Sequence, residues 1–279
     1  MGKRFIFAGG YLSILEPTEI FGTDLYDWWD FTDNTTLTLS GSRIDAIDSK
    51  ASGSTRQLTS TSANRPQIVS NQVNGLQVAN FDGVSEFMKV PSSTALYNFL
   101  HDQSNGGMAI LVSRLTDADP NTYYSFIDNN NTTAANVGIR VSYDDRLSLP
   151  RNNNITTSIS RGVSGASNVT AAQNFDDIYE TQQFNVITQI FDPLSGFALE
   201  RLNTIVNFGG DNKGNVLTNA PSTANATFDL TVAASGGLTF GFLKGDISEI
   251  IITENQPTAL QLTQVQSYLT NKYGTFPII

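Results

Sequence analysis

The stretch "LQVANFDGVSEFMKV" (residues 76–90) holds two runs of strand-forming residues, 76–81 and 86–90, around the pair Asp82-Gly83. Asp-Gly between alternating apolar runs favours a tight turn between antiparallel strands. The pattern therefore predicts a hairpin. Outward from it, similar short runs recur. "MAILVSR" (108–114) is nearly all apolar and reads as a central strand. "NVGIRVS" (136–142) places Val137, Ile139 and Val141 on one face. "FNVITQIF" (184–191) and "GFALERL" (196–202) bracket the turn 192–195, and "GLTFGFL" (237–243) and "DISEIIIT" (246–253) flank Lys244-Gly245. Short strands at regular spacing, with Gly, Pro and Asn between them, indicate a sandwich or barrel.

Composition agrees. The chain has 279 residues, 39% of them hydrophobic and only 15% charged. That suits a pleated, half-buried surface better than a helical bundle, whose wet faces need Lys, Glu and Arg. The length allows one large β domain with a sizeable core. With no Cys, that core holds the fold without disulfides. The net charge of −10 and the scattered Lys and Arg exclude nucleic acid as an expected partner. No stretch approaches the ~20 apolar residues of a membrane-spanning helix. The start "MGKRFIFAGG" has a basic pair before a short apolar run that Gly9 and Gly10 break, so a cleaved secretory signal is not expected.

Residues 1–23 read as an N-terminal arm and 24–279 as the body. The arm carries Phe5, Ile6, Phe7, Tyr11, Leu12, Ile14 and Leu15. Two accounts stand side by side: packing on the body's own core, or anchoring on another subunit. Between strand-like runs, 150–178 and 209–226 are rich in Asn, Ser and Gly and read as polar loops. At the other end, "PTALQLTQVQSYLTNKYG" (257–274) predicts a helix. Thr258 is its N-cap and Gln261 completes a capping box. Leu262, Val265, Leu269 and Tyr273 form one stripe, Lys272 suits the last turn, and Gly274 is the stop.

In "WWDFTDNTTLTLSGSRIDAIDS" (28–49) Trp28 or Trp29 reads as filling core space, the Asp residues as turn caps, and Leu37 and Leu39 as inward-facing on one strand face. Taken in order, Trp29 with Asp30 and Asp33, Arg65-Pro66, Asn74-Gly75, Phe81-Asp82-Gly83, and Gly245-Asp246-Ile247 through Tyr273-Gly274 resemble one family. That family is the laminin-G-like, concanavalin A-like jelly-roll domains of phage virion proteins and large bacterial surface proteins. The resemblance covers residues 26–275 and departs from the family pattern at Asp48–Gly53. It implies an all-β, two-sheet antiparallel jelly-roll sandwich, here with one C-terminal amphipathic helix.

Little in the sequence points to catalysis. A retaining glycosidase needs two carboxylates about 5–5.5 Å apart, and no Glu-x-Asp-x-Glu strand occurs. Asp176, Asp177 and Glu180 read as loop acids, and Asp144-Asp145 as a turn. His101, the only histidine, sits in "FLHDQSNGG" (99–107), which shows no nucleophile elbow, and reads as a surface or cap residue. One His and no Cys exclude zinc. Calcium stays open, with Asp24, Asp27, Asp30, Asp33, Asp128, Asp211 and Asp246 as oxygen donors; otherwise no cofactor is expected. For glycan binding the candidates are Tyr123, Tyr124 and Tyr143, with Asn129 and Asp144 nearby; the plainer account of the rings is core or edge packing. With the resemblance, the first expectation is a non-enzymatic virion structural protein. It would be a decoration, fibre or tail-associated subunit, assembled in the host cytoplasm, displayed on the virion surface, and partnered by other virion proteins and by copies of itself. The alternative is a glycan-binding adhesion module that meets cell-surface glycans; a glycosidase comes third.

Overall fold

The structure is a computed structural model. It describes residues 14–102, 105–116, 122–130, 135–144, 154–162, 169–172, 182–192, 201–206, 213–216 and 222–274. The chain enters through a short helix, α1 (Pro17–Phe21). The strands follow as β1 (Leu25–Asp30), β2 (Leu37–Ser40), β3 (Arg43–Asp48), β4 (Gln57–Thr59), β5 (Gln67–Val73) and β6 (Leu76–Asp82). Next come β7 (Met88–Lys89), β8 (Gly107–Leu115), β9 (Tyr123–Asp128), β10 (Val137–Asp144), β11 (Asn154–Arg161) and β12 (Val169–Ala172). The last are β13 (Asn185–Asp192), β14 (Arg201–Val206), β15 (Lys213–Val216), β16 (Thr231–Val232) and β17 (Lys244–Glu254), before helix α2 (Ala259–Tyr273).

Every strand pairing among the described residues is antiparallel, and the pairings resolve into two sheets. A front sheet runs β2-β3-β4-β7-β16-β9-β10-β11-β12. A middle sheet runs β5-β6-β17-β8-β13-β14-β15. The eleven residues of β17 pair with β6 through Ile247 and with β1 from Glu249 onward. One bridge, Arg43 to Gln67, ties the sheets together along an edge. The result is one of the two architectures the strand pattern allows, a sandwich rather than a barrel, and it is the jelly roll that the resemblance implies.

Two cores lie on the two sides of the middle sheet, because residues alternate across a strand. Between the sheets pack Trp29, Phe81, Leu111, Ile250 and Ile252 against Leu58, Phe126, Ile139, Val141, Tyr143 and Ile155 of the front sheet. On the other side Trp28, Ile110, Val112 and Ile251 pack under the stripe Val265, Leu269 and Tyr273 of α2. The neighbouring tryptophans of β1 thus serve different cores. Burying a large apolar side chain contributes about 1.5–3 kcal/mol, so docking of this stripe outweighs any single cap in holding α2. The capping box at Thr258 and Gln261 and the left-handed Gly274 (φ 89°) are present as the sequence predicts.

Several expectations are corrected. Strands 76–82 and 88–89 form no hairpin: β6 pairs with β5 and β17, whereas β7 pairs with β4 and β16. The Asp82-Gly83 turn instead carries the chain from the middle sheet to the front one. One carboxylate oxygen of Asp82 accepts the backbone N–H groups of Val84, Ser85 and Glu86 at 2.8, 2.9 and 3.1 Å, and so turns the chain by a wider route than two residues allow. Lys244-Gly245 is no turn but the start of β17. Gly245 is required there because a Cβ would lie 2.1 Å from the Arg114 carbonyl oxygen. Residues 237–243 form a loop rather than a strand, with Leu238 in the left-handed region (φ 56°). The stretches read as polar loops contain β11, β12 and β15. Leu39 is exposed, at 41%, because β2 is an edge strand bent by a bulge between Thr38 and Leu39. His101 is wholly buried, not a surface residue, and its Nε2 lies 3.0 Å from the Ala224 carbonyl oxygen.

Candidate functional site

The outer face of the front sheet is polar, by the same alternation that makes its inner face apolar. Thr59, Lys89, Thr231, Asp128, Arg140 and Ser158 stand directly opposite one another across β4, β7, β16, β9, β10 and β11. The next row holds Ser125, Ser142 and Thr156, and beyond it Tyr123 faces Asp144. A sheet face turned to bulk solvent needs no such order. Here Asp128, Arg140, Ser142, Asp144, Thr156 and Ser158 are buried, so this face is an internal polar surface. The Nε of Arg140 and the Oγ1 of Thr156 have no hydrogen-bond partner. Such groups are costly when buried and mark positions worth a functional account.

This face opens at Tyr123. A cleft of about 340 Å³ lies there, lined by Asp82, Gly83, Val84, Thr122, Tyr123, Tyr124, Gly241, Phe242 and Lys244. One wall is the 82–84 turn, with Val84 72% exposed at its tip. The other wall is the loop 233–243. Ser235 folds it by accepting N–H groups of Thr239 and Phe240, and Ala233 and Leu238 both hold left-handed backbone. Such strain in non-glycine residues clusters where a precise shape is used. The loop sets Phe240 against Tyr123 (ring centroids 5.7 Å apart) and Phe242 against Phe87 (6.5 Å). Gly241 allows this approach: a Cβ there would sit 3.0 Å from the Tyr123 ring. Behind Tyr123 lies the Arg140 guanidinium, 5.2 Å from the ring centroid. Burial pushes the Tyr123 phenol above its usual range, with Arg140 pulling the other way, so it stays a neutral hydrogen-bonding group. Burial also pushes the Asp82 carboxyl up, but its three backbone donors outweigh this and hold it below the usual value.

The five residues expected to bind glycan divide. Tyr123 and Asp144 fall together as cross-strand partners on the polar face, and Tyr123 lines the cleft. Tyr143 is wholly buried and Tyr124 nearly so; their rings stack 6.4 Å apart inside the sandwich core. Asn129 is buried too, its Oδ1 accepting the Ile139 N–H at 2.7 Å to hold the corner before β10. Tyr143 and Asn129 are therefore packing residues, corrected from the sequence reading, whereas Tyr124, nearly buried, still contributes to the lining of the cleft. Phe242, Val84, Lys244 and Arg140 were not among the candidates. The polar phase Gly138, Arg140, Ser142, Asp144 of β10 was the signal for Arg140. Nothing in the sequence pairs the 82–84 turn with Phe242, because that meeting depends on the crossing between sheets.

The other acids are engaged. Glu249, wholly buried, accepts from Trp28 Nε1 (2.5 Å), Tyr268 and Tyr273 hydroxyls (2.8 and 2.5 Å) and Lys272 Nζ (3.0 Å). Lys272 also reaches Asp30 at 2.8 Å. Burial pushes the Glu249 carboxyl up, against the pull of Lys272. This network joins α2 to β1 and β17 and is structural. Asp27 is bound by Arg56 (2.8 Å) and the Tyr97 hydroxyl (2.8 Å), and Asp246 by Arg114 (2.8 Å). Three acids considered for calcium, Asp27, Asp30 and Asp246, thus face cations of the chain itself. Among the described residues no three His, Cys, Asp or Glu cluster as metal ligands. Asp211, Asp176, Asp177 and Glu180 lie outside the described residues. Of the arm's candidate anchors, Phe5, Ile6, Phe7, Tyr11 and Leu12 also lie outside them. Ile14 is exposed, and Leu15 packs on the core beneath α2 beside Ile20 and Phe21.

No family model matches the sequence, and no curated protein does. Solved structures share the fold. An arabinofuranosidase complexed with arabinofuranosyl-α-1,2-xylobiose is similar over 92% of this chain and 61% of its own, at 12% identity and TM-score 0.55. Botulinum neurotoxin type C, whose cell entry depends on interaction with two ganglioside molecules, is similar over 82% of this chain and 51% of its own, at 10% identity and TM-score 0.51. The CBM40 of the Ruminococcus gnavus IT-sialidase is similar over 71% of this chain and 96% of its own, at 10% identity and TM-score 0.47. The chain thus spans only part of the first two. At these identities the likeness is one of fold.

Proposed function

We propose that this chain is a carbohydrate-binding β-sandwich module that binds without catalysing. The observation that carries this reading is the cleft at Tyr123. Two partly exposed aromatic side chains, Tyr123 and Phe242, line it beside Asp82, Thr122 and Lys244, at the mouth of a polar sheet face. Sugars present apolar C–H faces and rings of hydroxyls, and aromatic walls with a few fixed polar groups match both. The loop that holds Phe240, Gly241 and Phe242 is preformed, which lowers the ordering cost of binding. The arabinofuranosidase is complexed with an oligosaccharide, and the neurotoxin's named partners are gangliosides, which are glycolipids. The reading as a binder rather than a hydrolase rests on the carboxylates. Among the described residues Asp82 is the acid that lines this cleft, and one of its oxygens accepts three backbone N–H groups. A hydrolytic pair needs a second carboxylate across the bond.

Display of the module on a virion surface rests on the sequence resemblance alone. The described part of the arm offers no support for it, since Leu15, Ile20 and Phe21 pack on their own body. The test of function is a glycan array with the whole chain, followed by calorimetry on the best ligand. Binding should weaken about tenfold in Tyr123→Ala and in Phe242→Ala, equal to about 1.4 kcal/mol. Silence across diverse sugars, or binding indifferent to both substitutions, overturns the reading.

A further inference from the structure

We infer that Asn64, which does not line the cleft, is a positioning residue for it: through Ser85 it holds the 82–86 turn so that Val84 stands as a fixed apolar wall. The inference rests on the carbohydrate-binding reading and adds the part of the chain that sets the shape of the site. An exposed turn moves unless its backbone groups are tied down. This one is tied from two sides. From within, one oxygen of Asp82 accepts the N–H groups of Val84, Ser85 and Glu86. From without, the loop between β4 and β5 reaches over to it. The Nδ2 of Asn64 donates to the Ser85 carbonyl at 2.7 Å, and the Asn64 carbonyl accepts the Phe87 N–H at 3.1 Å. Thr61 orients the amide: its hydroxyl donates to Asn64 Oδ1 at 2.6 Å, which leaves the NH2 group for Ser85. Arg43 repeats the link one residue on, donating to the Arg65 carbonyl at 2.9 Å and to the Glu86 carboxylate. Gly83 lies against β17: its backbone is left-handed (φ 77°), and a Cβ there would sit 2.7 Å from the Lys244 Cβ. Val84 therefore stands at the cleft on a fixed backbone, although it is 72% exposed. A wall set before a sugar arrives spares the cost of ordering it on binding, worth about fivefold in affinity for one side chain.

The test uses the whole chain and the oligosaccharide that binds best on the glycan array, titrated by calorimetry, with urea unfolding to show that each variant is folded. Asn64→Ala and Val84→Ala should each weaken binding about fivefold. The double variant should lose less than about tenfold, not the roughly twenty-fivefold of independent sites, because both changes act on one wall. Asn64→Asp keeps the shape and the bond from Thr61 but cannot donate to Ser85. It should lose as much as Asn64→Ala, and it carries the test if the alanine variant does not fold. Losses that multiply in the double variant, or Asn64 or Val84 variants that bind as tightly as the natural protein, overturn the inference. The carbohydrate reading then still stands on Tyr123→Ala and Phe242→Ala. If no sugar binds, both fall.

Discussion

His101 shows how one buried side chain ties this fold to pH. Its Nε2–H donates to the Ala224 carbonyl, and its Nδ1 is buried with no partner. Burial pushes the imidazole below its ordinary value of 6.5, against weaker upward pulls from the Ala224 carbonyl and Asp102. The folded protein therefore releases the proton more readily than the unfolded chain. The neutral ring's contribution to stability is whole above about pH 6.5 and drains away as pH falls through the folded value. Urea midpoints measured at pH 7.5 and at pH 5.5 should thus differ more for the natural protein than for His101→Gln, which keeps a donor for Ala224 and cannot charge. Equal pH dependence in the two would remove His101 from the account. The sequence read this residue as superficial because a lone His after an aromatic turn carries no burial signal. The same limit explains the tyrosines. Tyr123 and Tyr124 are adjacent, so one must face in and one out. Which does so depends on the register with β10, where a shift between Val141 and Ser142 resets the phase.

At the scale of elements, the helix was legible almost residue for residue and the polar strands were not. Helix α2 carries its signals locally: a cap, a reciprocal Gln261, a stripe and a stop. Thr258 accepts the Gln261 N–H at 3.2 Å, and Gln261 accepts the Thr258 N–H at 2.8 Å. Thr258→Ala should cost about 1 kcal/mol, read as a shift of the urea midpoint with unchanged slope. Thr258→Ser should cost a fraction of that, and equal losses in the two would mean that the hydroxyl is not what matters. Strand β11, by contrast, reads "NITTSISR", and only Ile155 and Ile159 announce its core face. Between them lies Thr157, whose hydroxyl donates to Gln189 at 2.6 Å inside the protein. Its other face, Thr156, Ser158 and Ser160, is buried as well, so the polar-out rule fails there. Ser and Thr bond to backbone in loops as readily as they line a ladder, and sequence alone favours the loop. The hairpin at Asp82-Gly83 fails for a related reason. Turn chemistry is local, but the partner of a strand is chosen by the whole sandwich.

For the molecule as a whole, the adjacent tryptophans of β1 are the clearest statement in the sequence, and they imply three layers. Trp29 belongs to the core between the sheets, and Trp28 to the core under α2. A chain with one core would have no use for two wholly buried neighbours on a strand. The middle sheet therefore separates two apolar regions that share its backbone but not their side chains. Ile139 lies in the first region and Val265 in the second. Packed layers stand about 10 Å apart, so these two side chains have no common neighbour. Ile139→Val should cost about 1 kcal/mol and Val265→Ala about 2, from the methyl groups removed. Sites so separated usually add within about 0.5 kcal/mol. The double variant should then lose about 3 kcal/mol in urea unfolding, in one transition and with the slope of the natural protein. A coupling above about 1 kcal/mol would show that the middle sheet transmits packing changes from one core to the other. A second transition, confined to the variant under α2, would show that the helix layer comes away by itself. Neither is expected, because Glu249 of β17 accepts from Trp28, Tyr268, Tyr273 and Lys272 together and so binds the helix to the strand at the centre of the sandwich.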